Sequence, residues 1–170
     1  KKYYGDIFSN GNLTIHKGND VINQLFIGYE GFLCNKLYKK EIFEKYSLKL
    51  NEKISICEDL LFNIEYLLNC NCAAFYRGEK YFYRQIGTSA SHQLSNYKWF
   101  DILKSYNAIL RLLKDKTSVY YTALGQYAMV LCVAEYRLRY LSDEKLKQNT
   151  LKIINQEGTI VKNQWNKINK

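Results

Sequence analysis

Two adjacent carboxylates, Glu58 and Asp59, stand where an apolar helical pattern begins, and they are the residues of this chain best placed to move a proton. An ionised carboxylate held within hydrogen-bond reach of a hydroxyl can take its proton while the oxygen attacks an electrophile. A helix start suits the charged form, because the positive end of the helix dipole favours an anion. Acids also stand at helix starts for stability alone. Ser55-Ile56-Cys57-Glu58 reads as a capping box, with Ser55 and Glu58 satisfying orphan backbone donors. By itself the acid pair decides nothing.

Other groups have chemical potential but no decisive spacing. Lys36, between Asn35 and Tyr38, suits an anionic or hydroxyl-rich group, or is a solvated lysine beside a core-anchoring Leu37. The Arg84 guanidinium fits diphosphate oxygens through paired charge-assisted bonds, or pairs with Glu58 or Glu79. Ser89, Ser91 and His92 follow in a loop, and His16 has no partner pattern. The five cysteines, Cys34, Cys57, Cys70, Cys72 and Cys132, are odd in number and lack framework or zinc-knuckle spacing, so reduced thiols in a cytoplasmic protein are expected.

These groups must be carried by short strands and long helices. Asn10-Gly11 between two β-prone runs predicts a hairpin over residues 2–17, and Arg77-Gly78-Glu79 a second, between Ala73–Tyr76 and Lys80–Arg84. A helix is expected after Asp20 as N-cap, with Val21, Leu25 and Gly28 on one face, and Gly28 and Gly31 bracket the loop after it. Behind Glu58, Leu60, Leu61, Ile64, Leu67 and Leu68 define a core face as far as about Asn69. Trp99, Ile102, Leu103, Tyr106, Ile109, Leu110 and Leu113 repeat at helical spacing, as do Tyr120, Leu124, Tyr127, Leu131, Ala134, Leu138 and Leu141. A third segment, capped by Ser142, runs through Leu146 and Ile153, breaks near Gly158 and resumes with Val161, Trp165 and Ile168. The expected class is α+β and mostly helical: two short β-hairpins packed with helices, then a C-terminal helical bundle.

Three segments in order carry a resemblance: Asn35-Lys36-Leu37-Tyr38-Lys39-Lys40-Glu41, then Glu58-Asp59-Leu60-Leu61-Phe62-Asn63, then Tyr81-Phe82-Tyr83-Arg84 with Gly87, Ser89 and Ser91. Together they resemble family 2 glycosyltransferases of the GT-A fold, closest to the bacterial enzymes of capsule, exopolysaccharide and wall-polymer synthesis. The resemblance covers about residues 20–93 and, more loosely, the first twenty. It implies an acceptor-side lobe over 1–93 and a C-terminal helical region over 94–170. It also implies inverting sugar transfer, with Asp59 as general base and Glu58 beside it in acceptor positioning. Asn35, Lys36 and Tyr38 would line the acceptor side, while Arg84, Ser89 and Ser91 would close over the donor diphosphate or the acceptor. His92 is a weak metal candidate, since the inverting pattern does not demand it.

What this enzyme class needs beyond these motifs is not in the 170 residues. Asp6, Asp20, Asp59, Asp101, Asp115 and Asp143 form no Asp-x-Asp, and the nine glycines form neither a dinucleotide fingerprint nor a P-loop. The chain opens with Lys1, so an excised segment is expected, inactive alone, with the nucleotide-binding half ahead of it. No cofactor is expected in the segment, and Mg²⁺ or Mn²⁺ in the full-length enzyme. Its expected partners are a nucleotide-sugar donor and a glycan or lipid-linked acceptor, in the cytoplasm or at the inner face of the membrane. A homodimer is left open.

Composition allows one alternative. A net charge of +9, from 25 basic and 16 acidic residues, favours anionic partners, and a basic Tyr-rich helical adaptor for an anionic polymer, membrane surface or protein would use it. Tyr120, Tyr121, Tyr136 and Tyr140 with Arg137 and Arg139 would then form a basic amphipathic face. The lysines are scattered rather than clustered, which disfavours nucleic acid.

Overall fold

Helix formation in the C-terminal half follows from its apolar stripes. The computed structural model describes residues 13–27, 31–76, 81–82 and 96–168. Among these, α4 (Asp101–Leu113) and α5 (Thr117–Arg137) pack face to face. They bury Leu103, Tyr106, Ile109, Leu110 and Leu113 against Val119, Ala123, Leu124, Tyr127, Leu131 and Ala134. Each large side chain so buried contributes about 1.5–3 kcal/mol. Tyr106 and Tyr127 stack with ring centroids 5.4 Å apart and planes 4° from parallel. A long C-terminal helix, α6 (Glu144–Ile168), closes this layer with Thr150, Ile154 and Val161 inward.

The N-terminal half is laid onto the same core. Helix α1 (Asn19–Ile27) sets Val21, Ile22 and Leu25 against α5. Helix α3 (Glu58–Leu68) sets Leu60, Leu61 and Ile64 against α4. One hydrophobic cluster thus runs from Ile22 to Val161. The strands β1 (Leu13–Lys17) and β2 (Cys72–Tyr76) pair antiparallel, Leu13 opposite Tyr76 and Lys17 opposite Cys72. With six α-helices among the described residues, α2 (Lys40–Tyr46) included, the class is α+β and mostly helical, as expected. The turns Asn10-Gly11 and Arg77-Gly78-Glu79 of the two expected hairpins lie outside the described residues.

Several local expectations are corrected. Ser55 does not cap α3: the cap position is Cys57, in a left-handed conformation with φ 66°, and the Ser55 N–H donates to Asp101 Oδ2 at 3.1 Å. No capping box forms. Asp20 lies inside the first turn of α1 rather than before it. Helix α6 is capped by Asp143, whose Oδ1 accepts from the Leu146 N–H at 2.9 Å, so Ser142 is not the cap. That helix runs unbroken through Gly158, because Ile154 and Val161 on either side are held in the core. Ile153 and Trp165 point outward, and Leu37 is fully exposed instead of anchoring the core. Ile168 ends α6, with its side chain outside the described residues.

Candidate active site

The N-terminus of α3 is fixed from two sides. Ser105 Oγ on α4 donates to the Ile56 carbonyl at 2.9 Å, and Asp101 holds Ser55. Cys57 then turns the chain into the helix, so Glu58 and Asp59 are its first two residues. Both are half-buried. Asp59 Oδ1 accepts from the Leu60 N–H at 2.8 Å.

Burial dominates the electrostatics of Asp59 and raises its proton affinity above the usual carboxylate range. The Leu60 N–H opposes this, the Glu58 charge adds to it, and the Lys36 ammonium opposes it more weakly. The helix-dipole expectation of an easily ionised group is therefore outweighed by desolvation. The neighbouring Cys57 thiol is pushed up to about 12 by burial, reinforced by the charges of Asp59 and Glu58. It stays protonated and is not a nucleophile.

Residues 31–39 are laid directly against α3. Tyr38 enters an aromatic cluster with Phe43, Phe62 and Tyr66 at centroid distances of 5.7, 6.0 and 5.0 Å. Its hydroxyl donates to Asn63 Oδ1 at 2.7 Å, and the Lys39 N–H donates to Tyr66 Oη at 2.7 Å. Burial, then the Asp59 charge, raises the Tyr38 phenol above its ordinary value. Lys36 Nζ donates at 2.6 Å to both the Phe32 carbonyl and Asn35 Oδ1.

Of the residues singled out from sequence, Glu58, Lys36 and Tyr38 each interact electrostatically with Asp59, and exposed Asn35 is attached through Lys36. Tyr38 is half-buried structure rather than an open contact. Arg84, Ser89, Ser91 and His92 lie outside the described residues. Sequence reasoning gave no separate role to Asn63, which is 1% exposed. Its one signal is a polar residue between Phe62 and Ile64, one turn beyond Asp59. His16, expected to have no partner, binds Asp20 through Nδ1 and Thr14 Oγ1 through Nε2 at 3.1 Å, tying β1 to α1.

Among the described residues no group of three or more His, Cys, Asp or Glu is placed to hold a metal ion. Nor do the six residues of the expected basic face share one surface. Arg137 is buried, Tyr120 and Tyr121 pack against the core, and Tyr136, Arg139 and Tyr140 are the outward ones. Trp99, Tyr106 and Tyr127 are inside and offer nucleic-acid bases no stacking surface. Among the described residues no helix is long and apolar enough to cross a membrane. Family models, curated proteins and solved structures contain no match to this chain.

Proposed function

We propose that this chain is the acceptor-side part of an inverting glycosyltransferase, with the Asp59 carboxylate as general base. The observation that carries this is the setting of Asp59: half-buried at a helix start, its proton affinity raised by burial, with Lys36 nearby. A carboxylate of raised proton affinity has more driving force to take a proton from a hydroxyl.

In the reaction the acceptor hydroxyl gives its proton to Asp59. Its oxygen forms a bond to the anomeric carbon from the face opposite the leaving group. The bond from that carbon to the phosphate oxygen breaks, and its electron pair leaves with the nucleoside diphosphate, so configuration inverts. Asn35 and Lys36 are suited to orient acceptor hydroxyls, and Glu58 raises the basicity of its neighbour. The resemblance assigns diphosphate or acceptor contacts to Arg84, Ser89 and Ser91. It also assigns Mg²⁺ or Mn²⁺ to the donor side, and no step above passes through that ion. The donor half of such an enzyme, with its Asp-x-Asp, comes from residues other than these 170. A nucleotide-sugar donor puts the reaction on the cytoplasmic side of the membrane.

The test is transfer by the full-length gene product from a panel of labelled nucleotide sugars to lipid-linked or polymeric glycan acceptors. Incorporation from at least one donor is expected. A folded full-length protein inert with every donor would contradict the proposal.

A further inference from the structure

Thr14, His16 and Asp20 form one line of hydrogen bonds, and none of them belongs to the site around Asp59. His16 Nδ1 meets Asp20 Oδ2, and His16 Nε2 meets Thr14 Oγ1 at 3.1 Å. The chain builds this line within residues 14–20. Thr14 and His16 are two apart on β1, so their side chains leave the same face of the strand. Gly18, left-handed with φ 56°, turns the chain so that Asp20, in the first turn of α1, comes back to the ring. From β2 the Phe75 ring packs on the imidazole, nearly perpendicular at a centroid distance of 5.1 Å.

The order of the three groups assigns the protons. The Asp20 carboxyl is held below the usual range, by the His16 hydrogen bond first and by Gln24 second, so it is an anion at neutral pH. An anion only accepts, so Nδ1 of the neutral ring carries the proton and Nε2 keeps a lone pair. That lone pair meets the Thr14 hydroxyl. The hydroxyl has a second acceptor in the Phe75 carbonyl, but at 3.5 Å against 3.1 Å. A hydroxyl on a base that a third group orients is the arrangement that activates an oxygen nucleophile. Tying β1 to α1 needs only the bond to Asp20, and the contact with Thr14 adds nothing to that tie. Thr14 and His16 are both partly exposed, the His16 side chain to 18%, so a small donor can reach the oxygen.

We propose that Thr14 is an acylation site: its hydroxyl takes a small acyl group from an activated ester, with His16 as general base and Asp20 as positioning residue. Thr14 Oγ1 forms a bond to the ester carbonyl carbon as its proton passes to His16 Nε2. The bond from that carbon to the leaving oxygen breaks, its electron pair goes with the leaving alcohol, and His16 returns the proton to it. The products are an O-acyl ester of Thr14 and the free alcohol. Around the imidazole, Asp20 on α1 is the charged group, and Phe75 on β2 and Thr14 on β1 are the neutral ones. The site shares no residue with the transferase proposal, and each stands on its own test.

The experiment is timed, acid-quenched acetylation of the intact protein by p-nitrophenyl acetate, read by mass on the peptide that holds Thr14, with the lysines as internal reference. Thr14 is expected to acetylate faster than the other Ser and Thr hydroxyls. Thr14→Val is expected to remove that label and leave lysine labelling unchanged. His16→Gln is expected to slow Thr14 labelling by at least about 100-fold and Asp20→Asn by at least about tenfold, while Asp20→Glu, which keeps the charge, restores most of the rate. The wild-type Thr14 rate is expected to rise with pH through one ionisation to a plateau, as the lysine rate keeps climbing. A role for His16 and Asp20 in structure alone predicts an unlabelled Thr14 in the folded wild type. That result, a Thr14 rate that follows the lysines with pH, or an unchanged rate in folded His16→Gln or Asp20→Asn protein overturns the proposal.

Discussion

The guanidinium of Arg137 lies 4.4 Å from the centre of the Trp99 ring. Arg137 ends α5 and Trp99 stands just before α4, so the contact joins the two longest core stripes where their ends meet. Both side chains are buried, and a desolvated cation over indole is worth about 2 kcal/mol. Arg137→Met is expected to lower stability by about 1–3 kcal/mol and Trp99→Ala by about 3–5 kcal/mol. Urea denaturation of both single variants and the double should show losses that fall short of additivity.

Asp20 gives a pH signature. Its hydrogen bond from His16, then that from Gln24, hold its carboxyl below the usual range. A depressed carboxyl contributes stability above its unfolded pKa and loses it as pH falls through the folded one. Asp20 is largely exposed, so the effect is small, below about 1 kcal/mol. Asp20→Asn is expected to lower the thermal midpoint at pH 7 and to match wild type near pH 2.

Asp59 has the opposite sign. Its raised proton affinity means that the folded state favours the acid form, so stability is lost as pH climbs from the ordinary carboxylate range to the raised one. Asp59→Asn keeps the oxygen that accepts the Leu60 N–H and removes the charge. It is expected to raise stability at pH 7.5 by about 0.5–2 kcal/mol, because a partly desolvated charge is removed, with no gain at pH 3. Calorimetry at the two pH values checks it.

Gly125 and Gly158 sit inside α5 and α6, and a Cβ at either would meet nothing within 4 Å. Alanine at each is expected to add about 0.5–1 kcal/mol by restricting the unfolded chain and improving helix propensity. Denaturant midpoints of the two variants measure it.

These glycines also show where the sequence was legible. The stripes through Leu103, Ile109, Leu124 and Leu131 are local periodicities, and the core uses them as spaced. A break at Gly158 was a wrong inference because a single interior glycine costs only about 1 kcal/mol, less than the burial of Ile154 and Val161 on either side returns. Ser55 carried the right residue type for a cap, but Asp101, 46 residues away, claims its N–H. The pairing of β1 with β2 joins positions some sixty residues apart, such as Leu13 and Tyr76, and no turn signal records that.

The candidate site was half legible for the same reason. Glu58, Asp59 and Lys36 stand out by type and motif, and the charges of Glu58 and Lys36 both act on Asp59. Asn63 and Gly31 were not given their parts, because the hydrogen bond between them exists only once residues 31–39 fold onto α3. Arg137 was misassigned to a surface face because a charged residue at a helix end ordinarily faces water; here the Trp99 ring supplies the inside partner.

Sugar transfer by the full-length Asp59→Asn variant tests the central claim most directly, since this change keeps shape and hydrogen bonding and removes the base. With Asp59 as base, the turnover rate should fall by about 10²–10⁴-fold with the fold intact, and the wild-type rate should rise with pH through one ionisation above the usual aspartate range. Wild-type-like turnover in Asp59→Asn would contradict it.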